Sequence, residues 1–496
     1  MLTYTLEQNA GVPLYEQLYR HIRADIQTGV LKRDEKLPSK RSLASHLAIS
    51  VITVENAYAQ LQTEGYVYTK PKSGFYVSDL EDVWHDPSES IQKQGLSVQT
   101  EQKSDFSGRK VPDMAGSSGG WFADFASNQT SSEDFPFVTW ARLNRRVLLE
   151  NREELLTNPP PGGCLCLREA IASYLASFRA LHVDPSQILI GAGTEYLYGL
   201  LIQLLGPDKT YANEKPGYRK VTQIFQAHGV NSTGILLDEY GISIASLREE
   251  NADVVHVTPS HHFPTGITMP AGRRASLLGW AYEKEGRYII EDDYDSELRV
   301  DGKPLPPLAA MDFRGRVIYM NTFTKSLAST IRISYMVLPR MLVEAFQEKL
   351  GFYSCTVSTF EQFTLAAFIR EGYFEKHVNR MRNKSRKKRD LLLSCLKKSK
   401  LGPYASILEE KAGLHFLLNI AMEEDGREFV RKAAANGIRL MSLEEYLSGM
   451  EKAEEGKLFH LNKVGDGNRA HTFVMNYSSV PGDRIEEAVR RMADLL

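Results

Sequence analysis

Two stretches of the chain carry side chains equipped for covalent chemistry. In the first, a short apolar run of Tyr288, Ile289 and Ile290 ends in Glu291, Asp292 and Asp293, followed by Tyr294. In the second, the apolar segment Val317 to Met320 enters a Thr-rich turn that holds Lys325, with Arg332 downstream. Acids and hydroxyls at the C-terminal edge of buried strands are where open α/β sheets place their chemistry. A lysine amine beside hydroxyls and an acid is the equipment of a Schiff base. Pyridoxal phosphate needs such a set: an amine for the imine, a carboxylate to keep the pyridine nitrogen protonated, and phosphate donors. Lys325, Asp292 and the group Thr322, Thr324 and Arg332 supply these, and Tyr294 can donate to the ring hydroxyl. Either stretch alone reads equally well as a solvated lysine or as helix-capping acids; the two together, in this order, favour a cofactor site.

These residues need a scaffold, and the chain is long enough to build one. Its 496 residues predict two or three domains, and 42% hydrophobic with 25% charged residues is the composition of a soluble globular protein. A net charge of −2 leaves no global nucleic-acid footprint, so any DNA contact must be local. No apolar run reaches the ~18 residues of a membrane span. The segment Met1 to Glu7 lacks the regions of a signal peptide, so a cytoplasmic location is expected. Cys164 and Cys166 stand too close together for a zinc-finger spacing, and Cys355 and Cys395 are isolated, so reduced thiols and no metal are expected.

Around the chemistry, 187–195 reads as strand, Gly-rich turn and helix start, whose free amides at Gly193, Thr194 and Glu195 suit a phosphate. Ahead of it, 158–163 precedes an amphipathic helix carrying Leu167, Ile171 and Leu175. Downstream, the basic run 380–389 reads as the solvated face of a helix, with a second DNA patch as the rival reading. From Gly413 onward the pattern predicts a small α/β subdomain whose last helix buries Ile485, Val489, Met492 and Leu496.

The N-terminus has a different organisation. Leu14, Leu18, Ile22 and Ile26 recur at helical spacing and predict a helix over 14–31. Ser39 is a good N-cap for a short helix with Leu43 and Leu47, and Val54, Ala57, Tyr58 and Leu61 form the core face of a third. Tyr66, Tyr68, Phe75 and Val77 alternate on either side of a basic tip at 70–74, predicting a hairpin. Helix, helix, turn, helix and hairpin make a winged helix-turn-helix. Between it and Trp121 the composition turns polar, giving three expected regions: a DNA-binding head at 1–79, a flexible linker at 80–120 and an effector domain at 121–496.

The strings 291–298 (Glu-Asp-Asp-Tyr-Asp-Ser-Glu-Leu), 322–327 (Thr-Phe-Thr-Lys-Ser-Leu) and 332–336 (Arg-Ile-Ser-Tyr-Met) resemble the aminotransferase-like half of MocR/GabR-type bacterial regulators. Leu-Pro-Ser-Lys-Arg at 37–41 and Glu-Gly-Tyr at 64–66 resemble the signature of the GntR superfamily to which those regulators belong. The resemblance implies a winged helix-turn-helix joined to a fold-type I pyridoxal 5'-phosphate domain, a homodimer, and an operator in double-stranded DNA; the linker's length would let each head cross to the partner subunit. It further implies that Tyr218 stacks on the pyridine, that Ser39 and Arg41 contact DNA, that Ser50, Val51 and Thr53 open the recognition helix, and that Lys72 and Gly74 form the wing tip.

Departures from the family pattern carry information. Val51, Ile52 and Glu55 stand where recognition helices of this type commonly carry arginines, the usual readers of guanine, so an A/T-leaning site is expected. Phe263 replaces the asparagine of an Asn-Pro-Thr-Gly stretch, leaving Tyr294 and His262 for the ring hydroxyl. Two arginines that grip an amino acid carboxylate in the family correspond to Ser479 and Lys220 here; lysine offers no planar fork, and serine no charge. The implied function is a DNA-binding transcriptional regulator sensing pyridoxal phosphate itself, in vitamin B6 control, or an amino-acid-derived ligand. The alternative is an active aminotransferase carrying a DNA-binding head.

Overall fold

A computed structural model describes residues 2, 4, 6, 13–63, 66–70, 73–78, 120–127, 133–300, 305–410, 413–447 and 470–496. The chain divides into two compact units, Met1–Asp113 and Met114–Leu496. The expected linker at 80–120 lies outside the described residues apart from Gly120.

The first unit packs α1 (Leu14–Gln27), α2 (Lys40–Leu47) and α3 (Val51–Thr63) against a hairpin of β1 (Val67–Lys70) and β2 (Gly74–Val77). One core unites Leu18, Ile22 and Ile26 with Leu43, Val54, Ala57, Tyr58 and Leu61. The first helix stops short of the expected 31 because Thr28 Oγ1 donates back to the Ala24 carbonyl at 2.8 Å and Gly29 turns the chain at φ 75°. In the hairpin Val67 faces Val77, and these two are buried while Tyr66 and Tyr68 lie at the rim. The hairpin is the one expected, with Tyr66 and Phe75 packed against the core from its edge.

The second unit begins at β3 (Ala123–Asp124). Its main sheet comprises β4 (Ile188–Gly191), β5 (Tyr211–Lys215), β6 (Ser232–Asp238), β7 (Gly241–Ile242), β8 (Val254–Val257), β9 (Tyr288–Asp292), β10 (Val317–Thr322) and β11 (Ser334–Val337). The order across the sheet is β4-β11-β10-β9-β8-β5-β6-β7. The run β10, β9, β8, β5, β6 is parallel, and β11 is antiparallel to both of its neighbours. Strands β4, β8, β9, β10 and β11, and the two-residue β7, are buried at every residue, as strands covered on both faces must be. A smaller sheet joins β12 (Ala405–Leu408), β13 (His415–Ala421) and β15 (Ala470–Asn476), while β14 (Ile438–Arg439) pairs with β3. The helix Leu165–Arg179 buries Leu167, Ile171 and Leu175 as its spacing predicts.

Two expectations in this unit are corrected in part. The last helix, Ile485–Ala493, buries Ile485, Val489 and Met492, but it ends before Leu496, whose side chain is exposed. The basic run 380–389 in the helix Tyr373–Lys398 is only in part the solvated face expected: Arg380, Arg386 and Lys387 are exposed, whereas other members of the run are engaged. Arg382 Nε donates to the Glu297 carbonyl at 3.0 Å, Lys384 pairs with Asp134 at 2.6 Å, Lys388 donates to the Ser478 carbonyl at 2.8 Å, and Arg389 is buried. These side chains tie the long helix to the segments on either side of it.

Candidate active site and DNA-binding head

Strands β4, β5, β8, β9 and β10 deliver their C-terminal ends to one edge of the sheet. The turn Gly193-Thr194 follows β4, Tyr218 follows β5, the segment from Thr258 to Phe263 follows β8, Asp292 ends β9 and Lys325 follows β10. The antiparallel β11 starts at the same edge, which brings in Arg332.

The three acids of β9 and its end take different roles. Glu291 accepts the backbone N–H groups of Leu308 and Ala309 at 2.8 and 2.9 Å, capping a short helix. Asp293 forms a fully buried pair with Arg179 at 2.9 Å and accepts Tyr319 Oη at 2.7 Å. Asp292 Oδ2 accepts the hydroxyl of Tyr198 at 3.0 Å and lies 3.6 Å from His256 Nε2. Since Tyr198 donates to Asp292, the 2.8 Å contact between Tyr198 Oη and His256 Nε2 makes that nitrogen the protonated one. Asp292 Oδ1 is buried and has no hydrogen-bond partner.

That orphaned carboxylate oxygen fits a cofactor, because a buried acceptor without a donor is costly and a protonated pyridine nitrogen is such a donor. Lys325 sits in the one-turn helix Phe323–Ser326, where burial holds its amine below the usual lysine range and Asp295 works the other way. A depressed amine is the better nucleophile for an imine. His377 Nε2 holds this short helix from outside, 2.8 Å from the Ser326 carbonyl. The residues present therefore match what pyridoxal phosphate requires.

On the phosphate side the match is more particular. Gly193 adopts φ 94° directly under the Arg332 guanidinium, a place with no room for a side chain. Arg332 and Lys220 both donate to the Glu195 carboxylate, Lys220 at 2.7 Å. Glu195 thus offers its backbone amide at the helix start, whereas its side chain competes for the same cations as a phosphate. Thr322 Oγ1 is spent on Thr324 and Ser334, each at 2.8 Å, so it positions Thr324. Tyr218 caps the helix Arg219–Ala227 and meets Phe263 edge-on at 6.3 Å. Tyr294 Oη lies 3.4 Å from His261 Nδ1, while His262 turns to Thr265 at 2.7 Å and Glu214 at 3.5 Å. Tyr294 is therefore the better placed of the two for a ring hydroxyl. Tyr198 and His256 reach Asp292, and Asp295 meets His261, which lies beside Tyr294; spacing marks none of the four, though a histidine inside the apolar run of β8 is a visible signal.

Residues 14–77 match the bacterial regulatory proteins of the gntR family, and residues 122–449 match aminotransferase class I and II. The HTH-type pyridoxine biosynthesis transcriptional regulator PdxR of Corynebacterium glutamicum is 30% identical over 92% of this chain and 94% of its own length. The uncharacterized HTH-type transcriptional regulator YdeL of Bacillus subtilis is 38% identical over 88% of this chain and 91% of its own. The chain belongs to the MocR-type transcriptional regulators. Its second unit also resembles the multiple substrate aminotransferase of Thermococcus profundus, with a TM-score of 0.62 and 25% identity over 76% of this chain and 91% of that one.

As in its family, this MocR-type regulator has a head built to present α3. Ser39 Oγ accepts Ser42 N–H at 3.1 Å and Ser50 Oγ accepts Thr53 N–H at 3.1 Å, so both serines are N-caps besides being expected DNA contacts. Arg41, Val51 and Ile52 are exposed, and Lys40 pairs with Glu55 at 2.6 Å. Gly74 opens β2 at φ 114°; Lys72 lies outside the described residues. In the second unit Ser479 follows the end of β15, and its hydroxyl points at the carbonyls of Asp124 and Ser127, 2.8 and 3.0 Å away. With Lys220 held by Glu195, neither position offers a free carboxylate grip.

Proposed function

We propose that this regulator binds operator DNA through its winged head and pyridoxal phosphate through Lys325. Occupancy of that site, by the cofactor itself or by an amino-acid-derived ligand, sets its hold on DNA. The observation that carries the reading is the unpartnered Asp292 Oδ1 on the same sheet edge as a lysine whose amine is depressed by burial. When bound, the cofactor supplies an aldehyde that condenses with amines, which makes amine ligands readable. Asp292 would hold the pyridine proton, steadied by Tyr198 and His256; Tyr218 would cover the ring, Tyr294 would donate to its hydroxyl, and Gly193, Thr194, Thr324 and Arg332 would hold the phosphate.

Control by pyridoxal phosphate itself is favoured by the likeness to PdxR and by the absence of a free arginine fork at 220 and 479. Use of the domain as a sensor rather than an enzyme has the same support. The protein would act as a homodimer in the cytoplasm, each head reading a half-site. Phe137, Val138, Leu148, Leu149, Leu156 and Phe352 are large apolar side chains left exposed on the second unit, a surface suited to a second copy. Regions 1–79, 80–120 and 121–496 would then serve as head, linker and effector domain.

The test is a visible absorption spectrum of the purified protein with added pyridoxal phosphate, together with DNA binding of the apo and loaded forms. A band that is lost in Lys325→Ala without loss of folding is expected. An unchanged spectrum in that variant would reject Lys325, and rapid conversion of an amino acid to its keto acid would favour the aminotransferase reading. Equal DNA affinity with and without cofactor, and no response to any amine, would remove the cofactor as the signal.

A further inference from the structure

The carboxyl group that most favours charge on Lys325 belongs to Asp295, and Asp295 leads through His261 to His415 and Asn476, which no cofactor role uses. His261 Nδ1 lies 2.7 Å from Asp295 Oδ2. The His261 ring meets His415, at the start of β13, with centroids 4.2 Å apart. His415 is the cross-strand partner of Asn476 on β15, so their side chains share one face of the small sheet. Gly413 makes this approach possible, since a Cβ there would lie 2.6 Å from Asp295 Oδ2 and closer still to the His261 ring. All three polar residues are almost completely buried. Yet His261 Nε2, both ring nitrogens of His415 and Asn476 Oδ1 have no hydrogen-bond partner. The Pro264 carbonyl faces His415 and favours a proton on its ring, so one of the two nitrogens has an acceptor at hand.

Even with the Pro264 carbonyl counted for His415, three unmet polar atoms remain in the cluster reached through Asp295, the carboxyl that acts on Lys325, and they call for a polar occupant. We propose that His261, His415 and Asn476 form a subsite for an uncharged hydrogen-bonding group of the effector, a carboxamide before all. The proposal rests on Lys325 being the cofactor lysine.

The chemistry of the atoms selects the ligand class. Asn476 Nδ2 donates to the Ala126 carbonyl at 3.3 Å, which leaves Oδ1 as an acceptor turned elsewhere. A carboxylate would set lone pairs against it, whereas an amide N–H₂ meets it as a donor. Burial keeps both imidazoles neutral; Asp295 takes up Nδ1 of His261, which leaves that ring only Nε2 to offer, while the His415 ring carries one donor and one acceptor, and neither brings a positive charge. The paired strands present His415, Leu417, Asn419, Thr472, Val474 and Asn476 on this face, without a lysine or arginine. Arg299 is the cation felt by His261, and the carboxyls of Asp295 and Glu409 face its charge.

The experiment titrates the protein loaded with pyridoxal phosphate with matched amines, L-alaninamide against L-alanine and glycinamide against glycine, following the visible band. The amides' more acidic ammonium groups are a property of the probes and cancel when wild type is compared with variants. The amides should bind at least about tenfold more tightly than the acids, and Asn476→Leu and His415→Phe should each cut that preference by about tenfold. Heat denaturation of each variant reports whether it is folded. Equal binding of acid and amide, a preference unchanged in both variants, or L-alanine binding that disappears in Arg299→Gln would overturn the subsite. Absence of any visible band would remove the cofactor reading instead. In that case the subsite stands or falls on whether L-alaninamide, and not L-alanine, raises the melting temperature of wild type but not of the two variants.

Discussion

Glu195 stands between Lys220 and Arg332 and accepts a hydrogen bond from each. Partial burial pushes its carboxyl up, but the two cations more than offset this and hold it below the usual range. A phosphate group arriving at Arg332 must therefore displace, or share the cation with, a resident anion. Glu195→Gln should tighten binding of pyridoxal phosphate about fivefold, the equivalent of ~1 kcal/mol for a half-exposed charge. Added salt should shrink the difference. Titration of apoprotein at two ionic strengths measures it; weaker binding by the variant would mean that Glu195 supports the phosphate indirectly.

Asp292 owes its orientation to Tyr198, whose hydroxyl bridges it to His256. Asp292→Asn should retain some cofactor but shift its absorption, because the pyridine proton loses its counter-charge. Tyr198→Phe removes a buried donor from both partners and should cost about 1–2 kcal/mol of stability while leaving the band in place. A denaturant melt and a spectrum of each variant separate the two effects, and a Tyr198→Phe protein as stable as wild type would contradict the bridging role.

The chemistry was legible where it is local. Lys325, Asp292, Tyr294 and the Gly193 turn each follow a short apolar strand, and that pattern is visible along the chain. Residues that hold them arrive from far away: Arg179 reaches Asp293 from a helix over 100 positions earlier, and Tyr198 and His256 reach Asp292 from a helix and from a neighbouring strand. Nothing in the spacing announces such pairs. The basic run is legible only in part for the same reason: Arg380, Arg386 and Lys387 are exposed as the pattern suggests, but the carbonyls of Glu297, Val300 and Ser478 that engage Arg382, Arg386 and Lys388 lie far along the chain. Leu496 continued a periodic pattern past the point where the helix stops.

Buried ionisable groups should give the protein its greatest stability on the acid side of neutrality. Burial pushes Glu214, Glu291 and Glu297 up to about 7. Groups with raised values bind more protons folded than unfolded between about 4.5 and 7, so their contribution is lost as pH rises through that range. Burial pushes His261 and His262 down to about 3, and their contribution, present above about 6.5, is lost as pH falls toward 3. The two sets oppose each other between 4.5 and 6.5 and act alone outside it. Melting temperatures measured from pH 4 to 8 should therefore pass through a broad maximum near pH 5–6. Glu214→Gln should flatten the alkaline limb, and a maximum above pH 7.5 would show that these carboxyls are charged in the folded protein.

The recognition helix carries the remaining prediction. Ile52 is 68% exposed and Val51 42% exposed at the start of α3, while the core is filled by Val54, Ala57, Tyr58 and Leu61. Two solvent-facing apolar side chains add nothing to folding, and apolar contact with thymine methyl groups is the readout such residues can provide in a major groove. Ile52→Ala should leave the melting temperature within about 1 °C of wild type, since surface changes usually stay within ±0.5 kcal/mol. Affinity for an operator selected from random duplexes should fall by about fivefold to tenfold, most at A/T positions, and the salt dependence should stay the same because no phosphate contact is lost. Arg41→Ala should behave in the opposite way, weakening specific and non-specific DNA alike and lowering the salt slope by about one. Fluorescence anisotropy on matched duplexes in which single A·T pairs are replaced by G·C, repeated at several salt concentrations, separates the two behaviours. If Ile52→Ala weakened every duplex equally and lowered the salt slope, the side chain would be holding the helix on the backbone rather than reading bases.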